Sequence, residues 1–175
     1  MKHCNPTSFP LFSPAVRRLT AIVTVVAAIT AASGAARADE PPLTGSWRLV
    51  GYQVESKESN GKIPAMGEHP SGRVIFTDDH RVAFVLTGDG RRPGKTDTEK
   101  AALLNTLVAY TGIEQTNGNQ WCTRVEAAWN PEWVGTTQCG EFHVMGNRLE
   151  VLTPWRQMPN WPGTTRSIIT FERDR

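Results

Sequence analysis

Asn117-Gly118-Asn119 lies between two runs that read as strands, residues 111–116 and 120–128, and constrains the fold more than any other stretch. An Asn-Gly pair takes the positive-φ turn that suits the right-handed twist of an antiparallel ribbon, so the chain must double back here. The same grammar recurs on both sides. Asp78-Asp79-His80 separates residues 73–77 from 81–87, and in the second run Val82, Phe84 and Leu86 share one face at period two. Gly146-Asn147 separates residues 136–144 from 148–153, and strand-like runs at 47–55 and 165–173 begin and end the series. About eight strands in hairpin succession leave two sheet edges bare unless the sheet closes on itself. The expected fold is therefore all-β, an eight-stranded antiparallel up-and-down β-barrel with one inserted α-helix.

The helix is announced by Thr96 and Glu99, an S/T-x-x-E capping box in which each side chain satisfies a free amide of the first turn. Ala101, Leu104, Leu107 and Val108 follow at three-to-four spacing, which predicts an apolar stripe against the barrel and a helix ending near Tyr110, before Gly112. The preceding Arg91-Arg92-Pro93-Gly94-Lys95 reads as a solvated loop.

The first 38 residues read differently. Lys2, Arg17 and Arg18 precede an apolar run from Leu19 to Ala32, and Ala36-Arg37-Ala38 supplies small residues at a peptidase site. This is the pattern of a cleavable signal peptide, too short and too rich in threonine for a stable membrane span. The expected domains are thus a leader, 1–38, and a barrel, 39–175, in a periplasmic or secreted protein. Processing would convert a chain of net charge +2 into one with 15 basic and 17 acidic residues. That balance gives no basic face for nucleic acid. Cys4 would leave with the leader, so Cys122 and Cys139 form the one possible internal pair, in a compartment that permits a disulfide.

No catalytic constellation stands out. There is no G-x-S-x-G elbow, no Gly-rich loop between a strand and a helix, and no Cys/His spacing suited to a metal. No metal or cofactor is expected. His69 and His80 fall in a loop and a turn, and His143 alone falls within a strand. An inward His143 could polarise a ligand, donate a proton or serve as an axial haem ligand, whereas an outward one would be solvated. Glu141 and Phe142 leave that parity open. Glu126 and Glu141 fall on strands expected to be neighbours, where a buried acid could act as a base and an exposed one is surface charge.

Gly45-Ser46-Trp47, running into Arg48-Leu49-Val50, resembles the opening strand of the bacterial and fungal lipocalin-like domain family. So do Gly72-Arg73-Val74-Ile75-Phe76-Thr77-Asp78-Asp79, Tyr110-Thr111-Gly112, Pro131-Glu132-Trp133-Val134-Gly135-Thr136 and Gly146-Asn147-Arg148-Leu149, in order over about 130 residues. The resemblance implies that Trp47 closes the barrel floor under a basic partner, matched here to Arg173. It departs from the family where Thr123-Arg124 and Cys139-Gly140 replace polar residues, often His and Arg, beside the Pro-x-Trp loop. It also implies binding of a small hydrophobic molecule in the barrel. Six tryptophans lie in residues 39–175, five of them after the helix, which agrees with an aromatic-lined cavity. Tyr110, Trp121, Trp133, His143 and Trp155 are the expected ligand-binding residues. Two other functions stay open: a cyclase or isomerase that shapes a small apolar substrate inside the barrel, and a protein-binding or inhibitory module.

Overall fold

The computed structural model describes residues 43–158 and 161–174. The signal peptide expected over residues 1–38 lies outside the described residues. Along the chain run β1 (Gly45–Ser56), β2 (Lys62–Pro64), β3 (Ser71–Phe76), β4 (Arg81–Thr87), α1 (Asp97–Leu104), β5 (Leu107–Asn117) and β6 (Gln120–Ala128). A single 3-10 turn (Pro131–Trp133), β7 (Thr137–Met145), β8 (Arg148–Leu152), β9 (Arg156–Gln157) and β10 (Thr164–Arg173) follow. Eight of these strands, β1, β3 to β8 and β10, form a closed antiparallel barrel, sealed by β1 against β10 from Trp47↔Arg173 to Ser56↔Thr165. The short strands β2 and β9, absent from the sequence reading, extend the ladder beside β1 and β10 at one end.

Alternation decides what faces inward. In β4, Val82, Phe84 and Leu86 are buried as their period predicts. In β1 the inward set changes from Trp47 and Leu49 to Tyr52 and Val54, because a bulge between Leu49 and Gly51 shifts the parity by one residue. A second irregularity, opposite Thr111 and Gly112, does the same for β6. There a Cβ on Gly112 would lie 2.1 Å from the Arg124 carbonyl oxygen, so the close approach of the two strands needs glycine.

The predicted helix is corrected at its C-terminus. The capping box forms as expected, with the Thr96 hydroxyl accepting from the Glu99 amide and the Glu99 carboxylate accepting from the Thr96 amide. The Thr96 amide, with that of Lys95, also holds the Glu99 carboxyl below the usual carboxylate range. The helix nevertheless stops at Leu104 and buries no residue. Leu107 and Val108 belong to β5, bonded to Thr87 and Leu86 of β4. Four-residue spacing fits a helix and a strand equally, and the free edge of β4 decides between them. Arg91 is no idle loop residue: its guanidinium donates to the Leu103 and Thr106 carbonyls at the helix C-terminus, 2.7 and 2.8 Å away.

The two ends of the barrel differ. The tight turns at Asp78–His80, Asn117–Asn119 and Gly146–Asn147, and the chain before β1, lie at one end, the floor. Trp47 fills it, fully buried, its indole N–H donating to the Leu43 carbonyl at 2.7 Å. Arg173 caps the ring at 4.0 Å from its centroid and donates to the Thr44 carbonyl. The expected Trp47–Arg173 pair is therefore present. Cys122 and Cys139 are directly opposed on β6 and β7 and joined as a disulfide. Cys122 falls between the inward Trp121 and Thr123, which places the bridge on the outer face.

Trp47→Ala should destabilise the fold by about 3–5 kcal/mol, because the surrounding floor cannot collapse into so large a space. Arg173→Met, which keeps the stem and removes the charge, should cost about 0.5–2 kcal/mol. Urea unfolding followed by circular dichroism would measure both. Equal losses in the two variants would show that the indole is not the main anchor of the floor.

Candidate functional site

The long connections gather at the other end of the barrel, around an opening. Trp129 is tied to β5 by its amide, which donates to the Ala109 carbonyl at 2.8 Å. Asn130 caps the 3-10 turn, its side chain accepting from the Glu132 amide, and Thr136 closes it by donating its hydroxyl to the Trp133 carbonyl. This short, doubly capped turn holds Trp133 over the barrel. Trp133 meets Trp129 edge to face at 6.2 Å and Tyr110 at 5.8 Å. Tyr110 stacks on Phe84 at 4.8 Å, and Phe84 touches Trp121, which meets Phe76. An unbroken file of aromatic rings therefore runs from the rim to the floor.

That file divides the interior. Below it the barrel is filled by Phe76, Phe142, Phe171 and Trp47. Above it lies a small chamber of about 60 Å³, walled by Tyr52, Phe84, Tyr110, Trp121, Gly140 and Ile169 among others. Next to it is a mouth of about 320 Å³ lined by Val54, Met66, Leu107, Trp129, Met158 and Trp161. Tyr52, Val108, Trp133 and Arg156 line both spaces, which adjoin as a funnel at this end of the barrel. The inner chamber has room for a few waters or the tip of a ligand. The mouth reaches the lower range of small-molecule pockets.

Three of the expected ligand-binding residues, Tyr110, Trp121 and Trp133, meet in the funnel. Trp121 is buried, and its indole N–H is satisfied by the Thr123 hydroxyl at 2.9 Å. Thr123, one of the two departures from the family pattern noted beside this loop, thus serves a packing ring. His143 does not join them. Phe142 takes the inward position, leaving His143 exposed on the outer face opposite Glu150. Trp155 is also outside. Its ring stacks under Arg166 at 4.6 Å, and Arg166 is in turn paired with Glu55. Glu126 is exposed and paired with Arg81 and Arg124, and Glu141 is exposed, so neither acid faces the interior.

The sequence reading missed Tyr52 and Arg156. Tyr52 is inward only because of the bulge before it, which period two cannot reveal. Arg156 sits in a Pro/Trp-rich stretch where one more cation reads as surface charge. It is the one ionised side chain lining either space, and no carboxylate lines them among the described residues. At the floor end a separate depression of about 400 Å³ holds Asp78, His80 and Glu114, with His80 3.3 Å from Glu114. No cluster of metal-ligating residues occurs there or elsewhere among the described residues.

Burial raises the proton affinity of both tyrosines. For Tyr52 the hydrogen bond to Ser167 and the Arg156 charge oppose the effect of burial. For Tyr110 burial dominates again, the charge of an ionised Tyr52 adds to it, and Arg156 opposes both. The chain has only these two tyrosines. An unfolded chain loses their protons near pH 10, so above that pH the unfolded state binds fewer protons than the folded one and stability falls. Just above pH 10 the native protein should show little tyrosinate absorbance, and the full two-tyrosine signal should appear on adding urea. Ordinary titration of both phenols in native protein would refute a closed, apolar funnel wall.

No curated protein matches the chain. The family model described as a lipocalin-like domain matches residues 44–174, the whole barrel from the strand that carries Trp47 to the one that carries Arg173, and the chain belongs to that family.

Proposed function

We propose that this lipocalin-like protein binds a small hydrophobic molecule in the funnel at the open end of its barrel, and that it does so after export. One observation carries the reading: Tyr52, Val108, Trp133 and Arg156 line the mouth and the inner chamber alike, so one ligand can contact both. The inner chamber is mainly apolar and aromatic, and the mouth adds the polar groups of Asn105, Asn130, Arg156 and Gln157 that could orient a guest, which is how small-molecule sites are built. Acid–base catalysis would want a group that titrates near neutrality beside the substrate. His143, Glu126 and Glu141 lie outside the barrel, and the tyrosines inside are pushed further from neutrality. These positions favour binding over an isomerase or cyclase reading.

Export is supported by the leader pattern and by the Cys122–Cys139 bridge, which suits an oxidising compartment. Among the described residues no helix is long and apolar enough to cross a membrane.

A neutral apolar fluorophore such as N-phenyl-1-naphthylamine should bind with saturation, a blue-shifted emission and quenching of tryptophan. Trp133→Ala should weaken it about tenfold or more, since a ring shared by two spaces is a candidate hot spot. Absence of saturable binding up to about 100 µM, an affinity too weak for a carrier, would sink the proposal. For export, the full-length chain expressed in bacteria should yield a protein starting near Asp39, outside the cytoplasm, with Cys122 and Cys139 unreactive to thiol reagents under denaturation. An unprocessed chain or two free thiols would contradict it.

A further inference from the structure

Resting on the funnel as a binding site, we propose that its ligand is an apolar carboxylic acid whose carboxylate is held by Arg156. The first argument is charge. Four arginines on the outside of the barrel are paired: Arg48 with Glu172 at 2.8 Å, Arg73 with Asp174 at 2.7 Å, Arg166 with Glu55 at 2.6 Å, and Arg81 with Glu126. The outward Arg148 has no ion pair among the described residues, and it faces no pocket wall of this site. Arg156 has no ion pair among the described residues, yet it lines both parts of a pocket that is otherwise uncharged. Its charge acts on both Tyr52 and Tyr110, which places the guanidinium near the junction of the two spaces. Arg156 is exposed at the rim, so its charge is open to an incoming anion while its side chain lines the pocket.

The second argument is the balance of hydrogen-bonding groups. The buried indole N–H of Trp129, a residue of the mouth, has no acceptor among the described residues. The Tyr110 hydroxyl, in the inner chamber, has no hydrogen-bond partner among the described residues. Together with the guanidinium these are donors in search of acceptors, and a carboxylate is acceptor-only when ionised. The flat fork of an arginine matches its two oxygens. The rest of the ligand is then mainly apolar, because Val54, Met66, Leu107 and Val108 line the mouth with the tryptophans, while Asn105, Asn130 and Gln157 supply neutral polar groups at its edge.

The test compares decanoate with 1-decanol, which share a chain and differ in the head. Tryptophan quenching at neutral pH should show the acid bound about tenfold more tightly than the alcohol, the scale of one hydrogen bond to a charged group. Arg156→Gln should weaken decanoate about tenfold and decanol far less, bringing that ratio close to one, and Arg156→Lys should restore part of it. Arg156 lies on a two-residue strand and its backbone carries the pairing with Thr165, so the variants should unfold at the wild-type temperature. Equal binding of acid and alcohol by the wild type, or a preference that survives Arg156→Gln, would overturn the assignment to Arg156 and leave the funnel as a site. Failure of both compounds to bind would overturn the head-group assignment and the funnel reading together.

Discussion

Every inward-facing residue of this protein depends on the pairing of β1 with β10. It joins segments more than a hundred residues apart, whereas most other ring neighbours are hairpins or short connections. Such a contact must overcome the largest loop-closure entropy in the molecule, and it gains most from local reinforcement. The reinforcement is concentrated at the floor. Trp47 on β1 lies under Arg173 of β10, the Arg173 amide donates to the Asn147 carbonyl, and Asp174 accepts from the Ser46 hydroxyl and from Arg73. Those two donors also hold the Asp174 carboxyl below the usual carboxylate range. Without this seam the sheet would have two bare edges and no interior.

Closure at one end leaves the other end free to vary. Tight turns at the floor need only two or three residues each, and behind them the buried Trp47, Phe76 and Phe142 fill the barrel. At the far end the connections are long enough to carry α1, β2, the 3-10 turn and β9, and these bring Arg156, Trp129 and Trp133 above the barrel. Arg91 at the C-terminus of α1 and Asn130 at the start of the 3-10 turn hold two of these connections in shape. The site is thus built from connections that the closed floor makes affordable.

What could be read from the sequence follows the same division. Turn chemistry, period two and helix capping are local signals, and they located the eight ring strands and the capping box, whereas the Trp47–Arg173 pair was implied by the family resemblance alone. Wherever the outcome depended on a neighbour, local pattern was insufficient. The stripe Leu104, Leu107, Val108 satisfies a helix on its own, but the β4 edge takes Leu107 and Val108 into a strand. The parity of His143 was undecidable between Glu141 and Phe142 until cross-strand partners set it, and Trp155 was indistinguishable in sequence from the tryptophans that do face inward. Tyr52 was hidden by a bulge. Arg156 was hidden by chemistry, because a lone arginine acquires meaning only when the groups around it prove to be uncharged.

The same neighbours explain how a barrel whose lower half is solid keeps space in its upper half. An eight-stranded barrel has a core that side chains can fill, and Phe76, Phe142, Phe171 and Trp47 fill it here. Above them, Trp121 faces Gly140 across β6 and β7. A Cβ at Gly140 would stand 2.9 Å from the Leu152 carbonyl oxygen, so that part of the wall stays bare backbone. One large ring opposite a residue without a side chain gives a gap, and the stacked Phe84 and Tyr110 keep the rings beside it upright. The floor therefore supplies rigidity, the aromatic file carries it upward, and the space left over lies where the connections can cover it with donors. A guest would contact a wall already braced from below, so its binding would need little reordering of the protein.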